Sequence, residues 1–261
     1  MIRSAVSLSF VLLLTGLPDA GKVELKKQTE DAFASYLRTT EARLDKRLHD
    51  GDFLWADDTP DRKRRVQSGE VVVEPVVGKG DAPIAGGLVH DWIGAVFIPR
   101  TSLEKTLALA QDVDRHKSVY QPEVRDSRLV NRSGNDLKVY LRLVKKKVIT
   151  VVLNTYHDVR YVPVDPTRWY SRSYSTRIAE VENSGSAKER ELPPGQDHGF
   201  LWRLDSYWSF EERDGGVYVE CEAVSLTRDV PTGLGWLINP IVRSLPRESL
   251  TSTLRATRDA L

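Results

Sequence analysis

The sequence predicts an α+β protein in which a curved antiparallel sheet wraps around a long C-terminal helix. Three observations predict it. Between Val124 and Leu226 a succession of strand-like runs is punctuated by Gly, Asn, Asp and Pro. One helical stretch, "TSLEKTLALAQDVDRHKSVY", precedes those runs and directly follows a strand-like segment ending at Pro99. The chain closes on "LGWLINPIVRSLPRESLTSTLRATRDAL", where Leu250, Leu254 and Leu261 repeat at spacings of four and seven. Strand, helix, antiparallel strands and a final helix make a segregated layer arrangement.

The chain of 261 residues begins with Arg3, the apolar run "AVSLSFVLLL" and the break "TGLPDA". That is the layout of a secretory signal peptide over residues 1–20. The run is shorter than the roughly 20 apolar residues of a membrane span. The expectation is a protein secreted or periplasmic after signal-peptide removal, an uncleaved N-terminal membrane anchor being the alternative. No lipobox cysteine follows the run.

Residues 21–85 read as an N-terminal helical extension and linker, and 86–261 as the main domain. From Val23 to Leu48, Leu25, Ala32, Phe33, Tyr36, Leu37, Leu44 and Leu48 form one stripe, and Gly51 supplies a stop. "FLWADDTPDRKRR" reads as an irregular polar connection. Its Arg62, Lys63, Arg64 and Arg65 can touch anionic headgroups, but beside Asp57, Asp58 and Asp61 they read first as a solvated patch. "VVVEPVV" is a short extended piece that Pro75 assigns to an edge or crossover, and "GKGDAPIAGG" reads as a linker.

In the strand "LVHDWIGAVFIP", His90 and Trp92 share one face, while Asp91, Ile93, Ala95 and Phe97 share the other. Which face is internal stays open; an inward Asp91 would orient a ligand hydroxyl, and the favoured alternative is an edge-strand carboxylate in water. The next helix opens on Thr101 or Ser102 as N-cap with Glu104 in its first turn. Strands follow at Val124–Asn131, Leu137–Val144, Val148–Val162 and Trp169–Val181, then the polar loop "NSGSAKERELPPGQDHG". The final helix is expected to break near Pro240 and Pro246.

"FLWRLDSYWSFEERDGGVYVECEAVSL" reads as a hairpin turning at Asp214-Gly215 or Gly215-Gly216. Either turn places Trp202, Leu204, Ser206, Trp208 and Phe210 on the face of Val217, Val219, Cys221, Ala223 and Ser225. The opposite face, with Arg203, Asp205, Glu211, Glu220 and Glu222, reads as wet. Large residues opposed to small ones suit either an interdigitated core or the wall of a hollow.

Lys+Arg number 38 against Asp+Glu 37, a formal +1, so the positive field of a nucleic-acid binder is missing. Cys221 is the single cysteine, which leaves no intramolecular disulfide and reads as a small buried hydrophobe. The histidines His49, His90, His116, His157 and His198 lack metal-ligand spacing. Asp197-His198 lies in a loop and reads as incidental. There is no G-x-S-x-G elbow or Walker lysine-serine pair. No catalytic residue, metal or cofactor is assigned.

"WIGAVFIP", the helix "SLEKTLALAQDVDRHKSVY" leading into "QPEVRDSRLV", and the apolar ending with its "LPRESL" step resemble the START-like (SRPBCC) helix-grip superfamily of lipid-transfer and polyketide-cyclase-like proteins, over residues 88–261. Where many relatives carry a Trp in the first helix, this chain has Leu107. The resemblance implies a hydrophobic cavity between sheet and C-terminal helix, walled by Trp202, Leu204, Trp208, Phe210, Val219, Cys221 and Ala223. Trp236, Leu237, Ile241 and Leu245 would form the helix side or lid, with the 183–199 loop near the entrance. It implies a hydrophobic small molecule or lipid as partner, with transient membrane contact. Alternatives are a cyclase- or hydrolase-like enzyme using His90, Asp91 or Tyr156 in the same pocket, and a non-enzymatic interaction module built on the extension.

Overall fold

A computed structural model describes residues 22–146, 150–229 and 235–261, with side chains of the last segment from residue 244 onward. The leader expected at residues 1–20 lies outside the described residues. Helix α1 (Lys27–Asp50) ends where Gly51 turns left-handed at φ 86°. Beyond it, the stretch expected to be irregular forms a 3₁₀ turn (Trp55–Asp58) and helix α2 (Pro60–Gln67). Thr59 caps α2 by accepting from the Arg62 amide, and Pro60 takes the first helical position, where its missing N–H costs nothing.

Strands β1 (Val72–Pro75), β2 (Asp81–Ile84) and β3 (Gly87–Pro99) follow. The expected linker "GKGDAPIAGG" therefore contributes a strand, because Asp81–Ile84 pairs antiparallel with Gly87–His90. β1 occupies the sheet edge, where Pro75 is tolerated. Helix α3 (Leu103–Gln111), capped by the Ser102 side chain, stops at Asp112. The expected single helix resumes only as a short turn and α4 (His116–Val119).

Strands β4 (Val124–Ser133), β5 (Asp136–Lys146), β6 (Thr150–Asp165), β7 (Arg168–Glu182), β8 (Arg190–Glu191), β9 (Arg203–Arg213) and β10 (Gly216–Arg228) lead to helix α5 (Gly235–Asp259). The sheet runs β1-β3-β10-β9-β7-β6-β5-β4, with β2 on β3 and β8 on β7. The β9–β10 turn is Asp214-Gly215, both at positive φ (57° and 75°), as a primed hairpin turn requires. α5 continues through Pro240 and Pro246, so the break expected near them does not occur.

One sheet face packs on α5 and α3. Gly94 marks it: a Cβ there would lie 2.7 Å from Leu254 Cδ1 of α5. Trp92, Val96, Ile98, Leu103, Leu107, Phe210, Val219 and Leu254 meet in this core, joined by Leu137, Val139 and Tyr161 from the far strands. Curvature brings those strands round to the helix, where Lys145 Nζ of β5 donates to Ser249 Oγ at 2.5 Å, and Tyr120, just after α4, has its Oη 3.2 Å from Thr257 Oγ1. This is a helix-grip arrangement.

The second face is not wet. α1, the 3₁₀ turn and α2 cover it, burying Asp205, Glu220 and Glu222 at 4%, 4% and 1% exposure. Asp91, also on this face, is fully buried and lies in a strand flanked on both sides. Alternation correctly sorted these residues onto one face; what covers a face is a long-range property.

Candidate functional site

β9 and β10 set Leu204, Ser206, Trp208 and Phe210 beside Val219, Cys221 and Ala223 on the α5 side, through the pairs Cys221↔Trp208 and Ala223↔Ser206. β7 extends the surface with Ser171 opposite Trp208 and Ser173 opposite Ser206. Phe210, Val219 and Cys221 are buried in the main core. Trp208 stacks on Phe210 with centroids 6.2 Å apart and planes 6° from parallel, and its Nε1 donates to Ser206 Oγ at 3.2 Å. Burial raises the Cys221 thiol well above its ordinary pKa, which keeps it protonated and unreactive.

Ser173, Ser206, Trp208 and Ala223 have a paired strand on either side, yet all four stay half-buried. They lie on the face against which α5 packs, and a filled interior would close that face to solvent. The middle of the inner face is thus surfaced by small residues around one indole and remains accessible.

Trp202 departs from the expected wall. It precedes β9 and turns to the other side, packing with Phe33, Val89, Val224 and Leu226 while Nε1 donates to Asp197 Oδ1 at 3.1 Å. Strand alternation does not extend to a residue outside the strand. Leu245 is half-buried on α5, whereas the side chains of Trp236, Leu237 and Ile241 lie outside the described residues.

The 183–199 loop lies beside a split in the sheet. β7 and β9 pair only from Arg168↔Glu211 to Ser173↔Ser206 and then separate. Glu180 ties the returning chain to β7: its Oε2 accepts from the His198 amide at 3.0 Å and lies 2.8 Å from His198 Nδ1, and its Oε1 accepts from the Phe200 amide at 3.0 Å. Burial of Leu192 anchors the loop's middle.

Polar residues weighed for catalysis are dispersed. His90 faces inward, fully buried, with Nε2 3.1 Å from Thr227 Oγ1. Asp91 faces the extension, and Tyr156 lies under the Arg177 guanidinium, 5.4 Å from its ring centroid. No group of three or more potential metal ligands occurs among the described residues. The basic run is absorbed locally: Arg62 pairs with Glu74, Lys63 with Asp57, Arg64 with Asp61 and Arg65 with Glu70.

Under α1 is an arrangement that sequence reading missed. Tyr36 Oη donates to Asp91 Oδ2 at 2.7 Å, Arg43 to Glu222 Oε1 at 2.5 Å, and the Trp55 and Ala56 amides to Glu220 at 2.9 and 2.7 Å. Burial raises all three carboxyls, Glu220 to about 7, and mutual repulsion raises Asp91 further. A cavity of about 40 Å³, lined by Leu44, Arg47, Glu220 and Glu222 among others, adjoins the two glutamates and has room for water. A wider groove of about 530 Å³ crosses the outer side of β5–β7 past Lys138, Asp158, Arg160, Tyr170 and Arg172. Its charges are largely paired, Lys138 with Asp158 at 3.0 Å and Arg160 with Asp136 at 2.5 Å.

No family model matches the chain, and no curated protein matches it. Among solved structures it is similar to a STAR-related lipid transfer protein of Xanthomonas axonopodis, at 17% identity and TM-score 0.46, covering 69% of this chain and 96% of that one. It is similar to a START superfamily protein of Mycobacterium smegmatis at 12% identity and TM-score 0.44, covering 66% and 96%. The Zhui aromatase/cyclase of Streptomyces sp. R1128 follows at 10% identity and TM-score 0.43, covering 66% and 93%. The helix-grip assignment itself is read from the strand order and from α5 lying against β3, β10 and β1.

Proposed function

We propose that the protein binds and carries an apolar, lipid-like small molecule between the inner sheet face and α5. The observation that carries this reading is the half-buried state of Ser173, Ser206, Trp208 and Ala223 inside the sheet. An apolar ligand covering them would gain about 0.8 kcal/mol per buried methylene, so roughly ten methylenes supply about 8 kcal/mol before ordering costs. Binding of this size needs no reactive group. The leader-like N-terminus supports export and function outside the cytoplasm, with loading and release at a membrane surface.

Native mass spectrometry of the protein purified from its host tests the reading, together with quenching of tryptophan fluorescence by bromine-labelled acyl chains. We expect a co-purifying or exchangeable lipid, and quenching that drops in Trp208→Phe. Consistent absence of lipid and of quenching would overturn the proposal. Sequencing the N-terminus of the native protein tests export: a chain starting near Gly21 supports it, and a membrane-bound chain retaining residues 1–20 would show an anchor instead.

A further inference from the structure

His157 lies on the inner face of β6, opposite Val139 of β5 and Ser175 of β7, and is 5% exposed. Its Nε2 is 3.0 Å from Thr155 Oγ1, whereas Nδ1 is buried with no hydrogen-bond partner among the described residues. The Thr155 hydroxyl has a single proton and donates to the Leu141 carbonyl at 3.2 Å. Toward His157 its oxygen therefore accepts, and Nε2 carries the ring proton. Burial lowers the imidazole pKa to about 4, with Asp158 opposing, so the ring is neutral at physiological pH. Asp158 itself points to the outer face, where it is paired with Lys138 at 3.0 Å. Nδ1 is then a lone pair that can only accept.

The surroundings supply the site. Leu141, Val159 and Ser173, neighbours of His157 on the same face, are half-buried, so the accessible inner surface begins beside the imidazole. A buried acceptor without a donor is costly, and its natural complement is an O–H or N–H from whatever occupies that surface. A carboxylate or phosphate would set lone pair against lone pair and bring a charge into an apolar interior. An ester, ether or hydrocarbon offers no proton.

Building on the binding reading above, we propose that His157 is the polar anchor of the inner site and that the ligand is an apolar alcohol whose hydroxyl donates to Nδ1. The specificity is thus for a neutral hydroxylated molecule, set by the tautomer that Thr155 imposes.

The test uses the full chain as purified from its host, with a fluorescent acyl probe displaced by 1-hexadecanol, its methyl ether or hexadecanoate. The alcohol is expected to displace the probe at concentrations about 10-fold lower than either analogue, which corresponds to about 1.4 kcal/mol. In His157→Phe, which keeps an aromatic ring and removes the acceptor, the ratio should fall to about 1. In the wild-type protein, imidazole ¹⁵N resonances report Nδ1 directly and do not depend on the variant's folding; the alcohol alone should shift that signal. Equal displacement by all three ligands, a preference that survives in His157→Phe, or an Nδ1 signal unmoved by the alcohol because bound water already satisfies it, would each overturn the inference. Those results leave the carrier reading standing. If neither the probe nor any of the three ligands binds, the carrier reading fails and this inference fails with it.

Discussion

Gly94 and Tyr36 show how much single positions carry on the two sheet faces. A Cβ at Gly94 would lie 2.7 Å from Leu254 Cδ1, 2.8 Å from Val73 Cγ2 and 3.0 Å from the Val72 carbonyl, so α5 and β1 close onto the bare backbone. Gly94→Ala is expected to cost about 1–3 kcal/mol through overpacking, read as a lower urea midpoint with unchanged denaturant slope. On the opposite face, Tyr36→Phe removes the donor to Asp91 while keeping the ring. The loss should be about 1–2 kcal/mol, measured the same way. A change within a few tenths of a kcal/mol would mean that Asp91 finds another donor. Neither role was legible locally: Gly94 reads as a weak point in a strand, and Tyr36 as one more apolar position on a helical stripe.

At the scale of elements, the N-terminal helices convert a polar sheet face into a buried one, and this has a pH signature. Burial raises Glu220 to about 7 and Asp205 to about 6, and it raises Asp91 and Glu222 as well. Because these folded values exceed the ordinary carboxyl range near 4, the native state holds more protons than the unfolded chain between those limits. Their contribution is complete below about pH 4 and is lost as pH rises through 6 to 7. Urea midpoints should therefore fall from pH 5.5 to pH 8, and Glu220→Gln should flatten that fall; an unchanged slope in the variant would place the titration elsewhere. The periodicity of α1 and its glycine stop were legible in the sequence. The β2 strand and α2 were not, since four-residue and eight-residue elements take their stability from what they pair with or lean on.

For the whole molecule, the extension is integrated with the sheet it covers. β1 and β2 pair with β3, and Phe33 packs with Val89, Tyr207, Val224 and Leu226. A chain starting at residue 71 would strip the cover from Asp91, Glu220 and Glu222 along with that apolar cluster. We expect a loss of at least about 3 kcal/mol, a fall of roughly 6–12 °C in Tm for a chain of this size, seen by calorimetry at pH 7. A truncated protein as stable as the full chain would show that the cover is dispensable.

The sequence by itself determined the α+β class, the order of the main elements, a tight hairpin turn within residues 214–216 and which residues share a strand face, because each follows from spacing of two or 3.6 residues and from local turn chemistry. The tertiary structure alone decided that the charged face is roofed by α1, that Trp202 leaves the inner wall, and that His157 meets Thr155 with one nitrogen unpaired among the described residues. Those outcomes depend on residues far apart in the chain arriving at the same place, which a one-dimensional period does not record.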